Sequence, residues 1–272
     1  MIHDRETNIL YLSALLPTKY TTFFDRFADV LGKWRVQCEL LKGTKDIWCV
    51  DYMPVQVTET AFVQFTYNPS YLNSKKYQKT ITDPSAICEG LGIAPTRSAI
   101  KIDGGNVVKG TKRVIVTDRI FSENPAYTET GLLDQLSELH QLDRILVIPS
   151  DPRDFTGHAD GMVRFLDEDT VLVNQYSRDD NDFAVHLRSA LRNAGVELVE
   201  IPYRPNENGL YINYLQMENI IFLPVFGMES DELAVKAFEG IFRGTDVVPV
   251  LSSEIAAQGG VLNCISWNIK VP

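Results

Sequence analysis

Apolar segments and amphipathic stretches alternate along the chain in a fixed order. In three successive copies, an apolar segment of strand length is followed by an amphipathic stretch of about a dozen residues and then by a second apolar segment. Strands are predicted at 112–118 and 145–149, at 170–176 and 196–202, and at 220–226 and 247–251. The helices between them are predicted at 128–142, 182–194 and 229–242. The unit recurs every 50 to 58 residues, which indicates an α/β fold built from repeats.

Each copy begins with a further short strand, predicted at 100–108, 162–166 and 211–217. The module is therefore strand, strand, helix, strand, with a hairpin first and then a right-handed crossover that leaves the helix outside. A weaker copy has a helix at 21–31, a strand at 36–41 and a hairpin at 55–67, and a last strand at 263–270 would complete it. Because circular repetition removes most sheet edges, we expect one domain over 1–272, a short barrel or propeller of five units.

Five polar residues recur in phase with these modules: Asp51, Asp103, His158, Asn213 and Cys264. Their successive gaps are 52, 55, 55 and 51 residues, and each lies just after a loop at or near the start of a module's first strand. Independent turn residues have no reason to keep a common period. The spacing therefore predicts that the five side chains meet at the axis, where a cysteine, a histidine and two carboxylates are the components of a nucleophilic site.

Cys264 and His158 are the candidates for covalent and proton-transfer chemistry. Gly259 and Gly260 precede Cys264 and permit a close approach to its thiol. His158 and Asp160 form an HxD pair, and alternation on a strand would direct both side chains to one face, about 7 Å apart. Alternatively, His158, Asp160 and Cys264 bind a metal ion, although no fourth ligand has a recognisable spacing. The other cysteines and histidines are interpreted as structural or surface residues: Cys38, Cys49, Cys88, His3, His140 and His186.

The charge balance narrows the range of ligands. With 26 basic and 36 acidic side chains, the net charge is −10, which disfavours nucleic acids and favours cationic small molecules. No apolar run approaches the roughly 20 residues that span a bilayer, and no secretory signal is visible, so we expect no membrane segment. Four cysteines without CxxC spacing argue against a disulfide scaffold and a structural zinc site, and favour a reducing cytoplasm. Assembly into a homo-oligomer is left open.

A polar stretch at 68–80 interrupts the repeat pattern. Its sequence, NPSYLNSKKYQKT, predicts a loop rather than a core element. Because it lies outside the fivefold pattern, we expect it to cover the entrance to the site.

Five segments carry a resemblance to a known family: WCVDYMP, IDGGNVV, GHADGMVRFLDEDTVLV, YINYLQMENIIFLPVFG and GGVLNCIS. In order and spacing, from about residue 48 to residue 266, they resemble the guanidine-modifying superfamily, and most closely its branch of agmatine deiminases and bacterial peptidylarginine deiminases. The resemblance implies a five-bladed, pseudo-symmetric α/β propeller, the pentein fold. It also implies a reaction that needs neither a metal ion nor an organic cofactor.

The resemblance assigns the central chemistry to four residues. Cys264 would attack the central guanidinium carbon, while Asp51 and Asp160 would hold the guanidinium nitrogens. His158 would protonate the departing ammonia and then activate water against the covalent thiouronium intermediate. The resemblance therefore implies hydrolysis of a guanidine compound to a ureido product and ammonia.

Further matching positions support substrate binding, and some depart from the family pattern. Asp103 would help orient the histidine or the substrate, Asn213 would be a polar contact near the nucleophile, and Trp48 is assigned to substrate binding. Val50 stands where family members often carry arginine, and Asn263 where they often carry histidine. Asp103 replaces the glutamate common among agmatine deiminases, so these departures bear on substrate choice.

Two other activities stay open beside the deiminase. The substrate would be agmatine or arginine within a peptide, with free or methylated arginine ranked lower. An amidinotransferase would use the same covalent intermediate and pass it to an acceptor other than water. A degenerate pentein would bind a guanidine without turning it over.

Overall fold

Five three-stranded sheets form the structure, a computed structural model that describes residues 1–176, 181–203 and 210–272. The first sheet contains β1 (Ile9–Ser13), β2 (Gln37–Leu41) and β15 (Ser266–Ile269). The second contains β3 (Val55–Gln56), β4 (Phe62–Thr66) and β5 (Thr96–Lys101), and the third β6 (Val108–Lys109), β7 (Arg113–Thr117) and β8 (Arg144–Ile148). The fourth contains β9 (Val163–Phe165), β10 (Thr170–Asn174) and β11 (Glu197–Ile201), and the fifth β12 (Leu215–Met217), β13 (Ile220–Val225) and β14 (Asp246–Leu251).

Every sheet has the same topology. Its central strand pairs antiparallel with one neighbour and parallel with the other, as β7 does with β6 and β8. The first sheet joins the two ends of the chain, because β1 lies antiparallel to β15 with Ile9 opposite Ile269. The expected strand, strand, helix, strand module and the five-bladed, pseudo-symmetric α/β propeller are therefore confirmed.

Helices connect the strands and shape the loops at the axis. The longer α-helices are Thr21–Lys33, Ser85–Gly90, Glu129–His140, Asn181–Asn193 and Ser230–Ile241. The shorter α-helices are Leu16–Lys19, Cys49–Tyr52, Arg119–Glu123, Ser253–Ala256 and Leu262–Ile265. The 3-10 turns are Asp4–Glu6, Ser70–Leu72, Gln78–Thr80, Gly104–Asn106 and Ala159–Gly161. No helix in the described ranges is long and apolar enough to cross a membrane.

The apolar pattern explains why these segments form strands and helices. The strand β7 reads RVIVT, rich in the β-branched residues that fit a pleated surface, and its last four residues are buried. The helix Thr21–Lys33 buries Phe23, Phe27 and Leu31, which recur every fourth residue on one face. Burial of that face attaches the helix to the apolar core beside the sheets.

Three predicted details are wrong or incomplete. The strand predicted at 100–108 is split, because Ile100 and Lys101 belong to β5 of the preceding sheet while only Val108–Lys109 pairs in the next. The strand predicted at 263–270 begins only at Ser266, after the helical turn Leu262–Ile265. The strand β1, entirely buried, was not predicted. In each case the short apolar run alone does not tell which sheet it joins.

Candidate active site

The five equally spaced residues occupy equivalent turns, each ahead of the first strand of a sheet. Asp51 lies in the short helix Cys49–Tyr52, and Cys264 lies in the short helix Leu262–Ile265. Asp103 and His158 each precede a 3-10 turn, and Asn213 lies in the turn before β12. The expectation that His158 and Asp160 alternate on a strand is wrong, because Asp160 lies within the 3-10 turn itself.

These turns converge on one cleft of about 570 Å³. Trp48, Asp51, His158, Asp160, Asn213 and Cys264 all line it. Asp103 instead lies behind His158, in a narrow crevice that it shares with Arg119 and Glu123. The structure therefore brings the predicted residues together and places Asp103 where it contacts the histidine.

His158 lies between two buried carboxylates. Its Nε2 is 2.9 Å from Asp103 Oδ2, and its Nδ1 is 3.6 Å from Asp51 Oδ1. Burial disfavours the charged imidazole, but the charge of Asp51 and the hydrogen bond with Asp103 outweigh burial and raise the pKa of His158 to about 10. The two neighbouring carboxyl groups therefore favour the charged form of the imidazole in the ligand-free site.

Asp51 is held by a backbone group at close range. The Gly105 amide donates to Asp51 Oδ1 at 3.1 Å. A Cβ at Gly105 would lie 2.6 Å from His158 Nδ1 and 2.8 Å from Asp51 Oδ1, so only glycine fits. Burial is the main cause that raises the pKa of Asp51 to about 8; His158 opposes the rise, and Asp103 and Asp160 add to it.

Asp160 is bound by two side-chain amides and faces the thiol. Its Oδ2 accepts hydrogen bonds from Asn213 Nδ2 at 2.9 Å and from Asn263 Nδ2 at 2.6 Å. The same oxygen is 3.7 Å from Cys264 Sγ. Burial raises the pKa of Asp160, while His158 and the Asn263 and Asn213 amides oppose the rise. Asn263, a departure from the family pattern, thus contacts a central carboxylate, which no local sequence signal indicated.

Cys264 is positioned by its neighbours on both sides. Its backbone amide donates to Asn213 Oδ1 at 3.3 Å. A Cβ at Gly260 would lie 2.8 Å from the Trp48 ring and 3.0 Å from Cys264 Sγ, so a glycine is needed there. Burial, together with the charges of Asp160 and Asp51, raises the pKa of the Cys264 thiol well above its ordinary value. These effects favour the protonated thiol in the ligand-free site.

The polar segment 68–80 lies over this cleft, as expected. Leu72, Lys76, Tyr77 and Thr80 line the cleft. Tyr71 reaches inward, and its hydroxyl donates to Asp103 Oδ2 at 2.7 Å. Sequence reasoning missed Tyr71 because it has no place in the fivefold spacing.

A second charged cluster lies beyond Asp160, around a small cavity of about 40 Å³ that Asp160 also lines. There Asp4 pairs with Lys109 at 2.6 Å and with Arg164 at 2.5 Å. Burial opposes the charge of Asp4, but Lys109 and Arg164 outweigh burial and hold the pKa of Asp4 well below its ordinary value. We refer to Asp4, Lys109 and Arg164 as the paired cluster.

The metal alternative has no geometric support in the described residues. Across 1–176, 181–203 and 210–272, no group of three or more His, Cys, Asp and Glu side chains is arranged to hold a metal ion. The cleft instead combines a thiol, an imidazole and carboxylates, a set suited to nucleophilic and proton-transfer chemistry.

Solved structures share this architecture at low sequence identity. A substrate-bound variant of the agmatine deiminase from C. jejuni superposes with a TM-score of 0.82 and 18% identity, over 99% of this chain and 96% of that one. DDAH from Pseudomonas aeruginosa, a variant in complex with citrulline, gives 0.64 and 13%, over 96% and 99% of the two chains. These likenesses show the fold, and the protein is a pentein.

A family model makes the assignment narrower. The model for the Porphyromonas-type peptidyl-arginine deiminases matches residues 22–269, so the chain belongs to that family. A Streptococcus mutans protein, provisionally named an agmatine deiminase, is 26% identical and aligns with 65% of this chain and 58% of its own length. The chain thus spans less than two thirds of that relative.

Proposed function

We propose that the protein is a cysteine-dependent deiminase that hydrolyses a guanidine to a ureido product and ammonia. The observation that carries the proposal is the charge imbalance of the cleft. Asp51, Asp103 and Asp160 are buried, and of the two cationic side chains that line the cleft, His158 is buried and Lys76 is exposed. Buried negative charge that exceeds the buried positive charge beside it is unfavourable, so the site favours a ligand that brings a positive charge.

A guanidinium fits this requirement in shape as well as in charge. It is a planar cation whose N–H groups diverge in fixed directions, and carboxylates accept them in pairs. Asp51 and Asp160 both line the cleft, and Asp160 also faces Cys264 Sγ at 3.7 Å. A guanidinium held by both carboxylates would present its carbon to the thiol, which removes most of the orientational cost of the attack.

The first half of the reaction forms a covalent intermediate. Cys264 Sγ gives its proton to solvent as it bonds to the guanidinium carbon, and charged His158 gives a proton to the leaving nitrogen. The carbon–nitrogen bond breaks with its electron pair on nitrogen, and ammonia departs. Nδ1 of His158, on the Asp51 side, is the nitrogen suited to this transfer, because Nε2 is engaged by Asp103.

The second half releases the product by hydrolysis. Neutral His158 takes a proton from water as its oxygen bonds to the thiouronium carbon. The carbon–sulfur bond then breaks with its electron pair on sulfur, the hydroxyl proton passes to that sulfur as the new carbonyl forms, and the ureido product leaves. Water and guanidinium are thereby converted to a urea and ammonium, and both Cys264 and His158 return to their starting states.

Substrate binding would also activate the nucleophile. In the ligand-free site the carboxylates raise the pKa of Cys264, which disfavours the thiolate. A bound guanidinium offsets the charges of Asp160 and Asp51, so the same burial that suppressed the thiolate now strengthens its attraction to the cation. The thiol would therefore ionise mainly when substrate is present, which protects it from unproductive reactions.

The substrate is proposed to be agmatine or an arginine residue within a peptide. The cleft volume of about 570 Å³ exceeds the space a guanidinium group requires, and Phe155 at its rim is 67% exposed. Both features support a substrate with an extended tail. One catalytic domain over 1–272 and a cytoplasmic location complete the proposal.

The decisive experiment measures ammonia release from agmatine, arginine and an arginine-containing peptide. We expect release from at least one of them, and none above background from Cys264→Ala. Cys38→Ala, a thiol outside the cleft, serves as the control and should keep full activity. Ammonia release from none of the three substrates would overturn the proposal.

Two further measurements separate the other activities. Mass spectrometry after an acid quench should find the substrate's amidino adduct on Cys264. An adduct on another cysteine would show that the other cysteine, and not Cys264, is the nucleophile. Turnover that requires an added amine acceptor would identify an amidinotransferase, whereas binding without turnover would identify a guanidine-binding protein.

A further inference from the structure

Tyr71 reaches the site from the segment that covers the cleft, and several contacts fix its position. Ser70 donates to the Glu123 carboxylate through its amide at 3.1 Å and its hydroxyl at 2.5 Å. The Arg119 guanidinium lies over the Tyr71 ring at 5.3 Å and donates to Ser70 Oγ at 3.2 Å. The ring of Phe155 meets Tyr71 edge to face at 5.6 Å. Tyr71 is therefore held in place by Phe155 at the rim of the cleft and by Arg119 and Glu123 in the crevice behind it.

The Tyr71 hydroxyl shares one acceptor with the histidine. It donates to Asp103 Oδ2 at 2.7 Å, the oxygen that lies 2.9 Å from His158 Nε2. Its own oxygen is 3.5 Å from His158 Nε2. Burial, with the charges of Asp103 and Asp51, raises the pKa of Tyr71 well above its ordinary value, so the phenol keeps the proton it donates.

We propose that Tyr71 is a positioning residue that acts on His158 through Asp103. By donating to Oδ2, the phenol takes up part of the negative charge that would otherwise be available to the imidazole, and it holds Asp103 in one orientation. The expected effect on kcat rests on the proposed function, in which His158 donates and accepts protons. The expected effect on the pKa of His158 does not depend on any reaction.

The arrangement addresses a conflict within the proposed reaction. His158 must be an acid in the first half and a neutral base in the second, yet buried carboxylates on both sides favour its charged form. A hydrogen bond from Tyr71 to Asp103 weakens the hold of that carboxylate on the imidazolium. The titratable and charged groups around His158 are Asp51, Asp160, Tyr71 and Cys264 in the cleft, and Asp103, Lys101, Arg119 and Glu123 in the crevice behind it.

The direct test is an NMR titration of His158 in the substrate-free protein labelled at histidine Cε1. The chain has four histidines, and His158→Asn identifies the signal. We expect the pKa of His158 to rise in Tyr71→Phe by about 0.5 unit or more, because Asp103 loses a competing donor. Tyr71 replaced by 3,5-difluorotyrosine, a stronger donor of the same shape, should lower it relative to wild type.

The kinetic test uses whichever guanidine the wild type hydrolyses. In Tyr71→Phe the His158 limb of the kcat/KM profile, which reports the free enzyme, should move to higher pH by the shift seen in the titration. At neutral pH we expect kcat to fall by about tenfold with KM changed less than about threefold, as for the loss of an interaction that acts on the reaction rather than on binding.

A matched control separates this role from a structural one. Tyr211 is a buried phenol that bonds to Asp231 at 2.9 Å outside the cleft. Tyr211→Phe should lose stability while leaving the pKa of His158 and the kcat/KM profile unchanged.

Two results would overturn the inference: an unchanged or lowered pKa of His158 in Tyr71→Phe, or equal shifts in the Phe and difluorotyrosine proteins. If wild type hydrolyses no guanidine, the proposed function fails, but the titration still decides the role of Tyr71.

Discussion

The paired cluster and the cleft both bury carboxyl groups, and Asp160 lines the cavities of both. In the paired cluster, one carboxylate, Asp4, meets two cations, Lys109 and Arg164. At the cleft, the three buried carboxyl groups of Asp51, Asp103 and Asp160 meet one buried cationic side chain, His158, while Lys76 in the cleft lining is exposed. The two regions are therefore built from similar groups but in opposite ratios.

The pKa values show what this difference means physically. Cations hold the pKa of Asp4 below its ordinary value, whereas burial and neighbouring carboxylates raise the pKa of Asp51 to about 8. A balanced cluster stabilises the charges it contains, while an unbalanced one stores an unfavourable interaction that a ligand can relieve. We therefore expect ligand binding at the cleft, where buried negative charge exceeds buried positive charge, and not at the paired cluster.

The largest expected effect is the loss of catalysis without loss of fold. Cys264→Ala should lower kcat for ammonia release by at least about 10⁴-fold, as removal of a nucleophile does. Its free energy of unfolding should stay within about 1 kcal/mol of wild type, because the thiol makes few contacts that the fold requires. Activity assays and urea denaturation check both parts, and residual turnover near the wild-type rate would remove Cys264 from the mechanism.

The paired cluster should respond in the opposite way. Asp4→Asn leaves Arg164 and Lys109 without their carboxylate, and the loss should be about 3–5 kcal/mol in the free energy of unfolding. Asp169→Asn is the control, because Asp169 pairs with Arg113 at 3.5 Å on an exposed surface, where such a pair contributes about 0–1 kcal/mol. Equal losses in the two variants would show that the cluster is not structurally important.

Removing a charge from the cleft should stabilise the ligand-free protein. A carboxyl with a raised pKa binds its proton more tightly in the folded state, so Asp51 costs stability progressively as pH rises from about 4 to its value of about 8. The free energy of unfolding of Asp51→Asn should therefore exceed that of wild type increasingly across that window, by about 1–3 kcal/mol at pH 9, while the variant loses activity.

Denaturation of Asp51→Asn at pH 5, 7 and 9 measures this gain. A variant less stable than wild type at pH 9 would contradict the view that the cleft is strained by its charges.

The smallest effect concerns ligand affinity. Because Asp51 must be ionised to hold a guanidinium, agmatine should bind Cys264→Ala more tightly as pH rises, by up to roughly tenfold per pH unit below 8. Calorimetry in buffers of different ionisation enthalpy should detect the proton released on binding. Affinity that does not vary between pH 6 and 8 would remove Asp51 as the titrating group.

The repeat period predicted most of what positions the site. Modules, helices and convergence at the axis follow from a recurring apolar pattern and from polar residues in phase with it. The HxD motif was nevertheless assigned to a strand, because three residues cannot distinguish a strand from the 3-10 turn Ala159–Gly161. The motif indicated which side chains meet, but not the backbone that brings them there.

The contacts that sequence reasoning missed are those made across modules. Asn263 reaches Asp160 across 103 positions, and Tyr71 reaches Asp103 from a segment with no counterpart in the repeats. Neither contact follows the repeat period of the sequence, because each depends on how side chains pack in this particular cleft. The catalytic roles proposed for the site residues remain predictions until the assays above are done.

Because β1 pairs with β15 to close the ring, the order in which the chain is synthesised determines when the cleft is complete. The backbone amide of Val271 donates to the Asn8 side chain across 263 positions, so this blade cannot form until residues up to Val271 have been synthesised. Cys264 precedes β15 in the same blade, and contacts so distant in sequence form slowly. During synthesis the acidic residues of the cleft are therefore present before Cys264, and the complete cleft forms only when β15 pairs with β1.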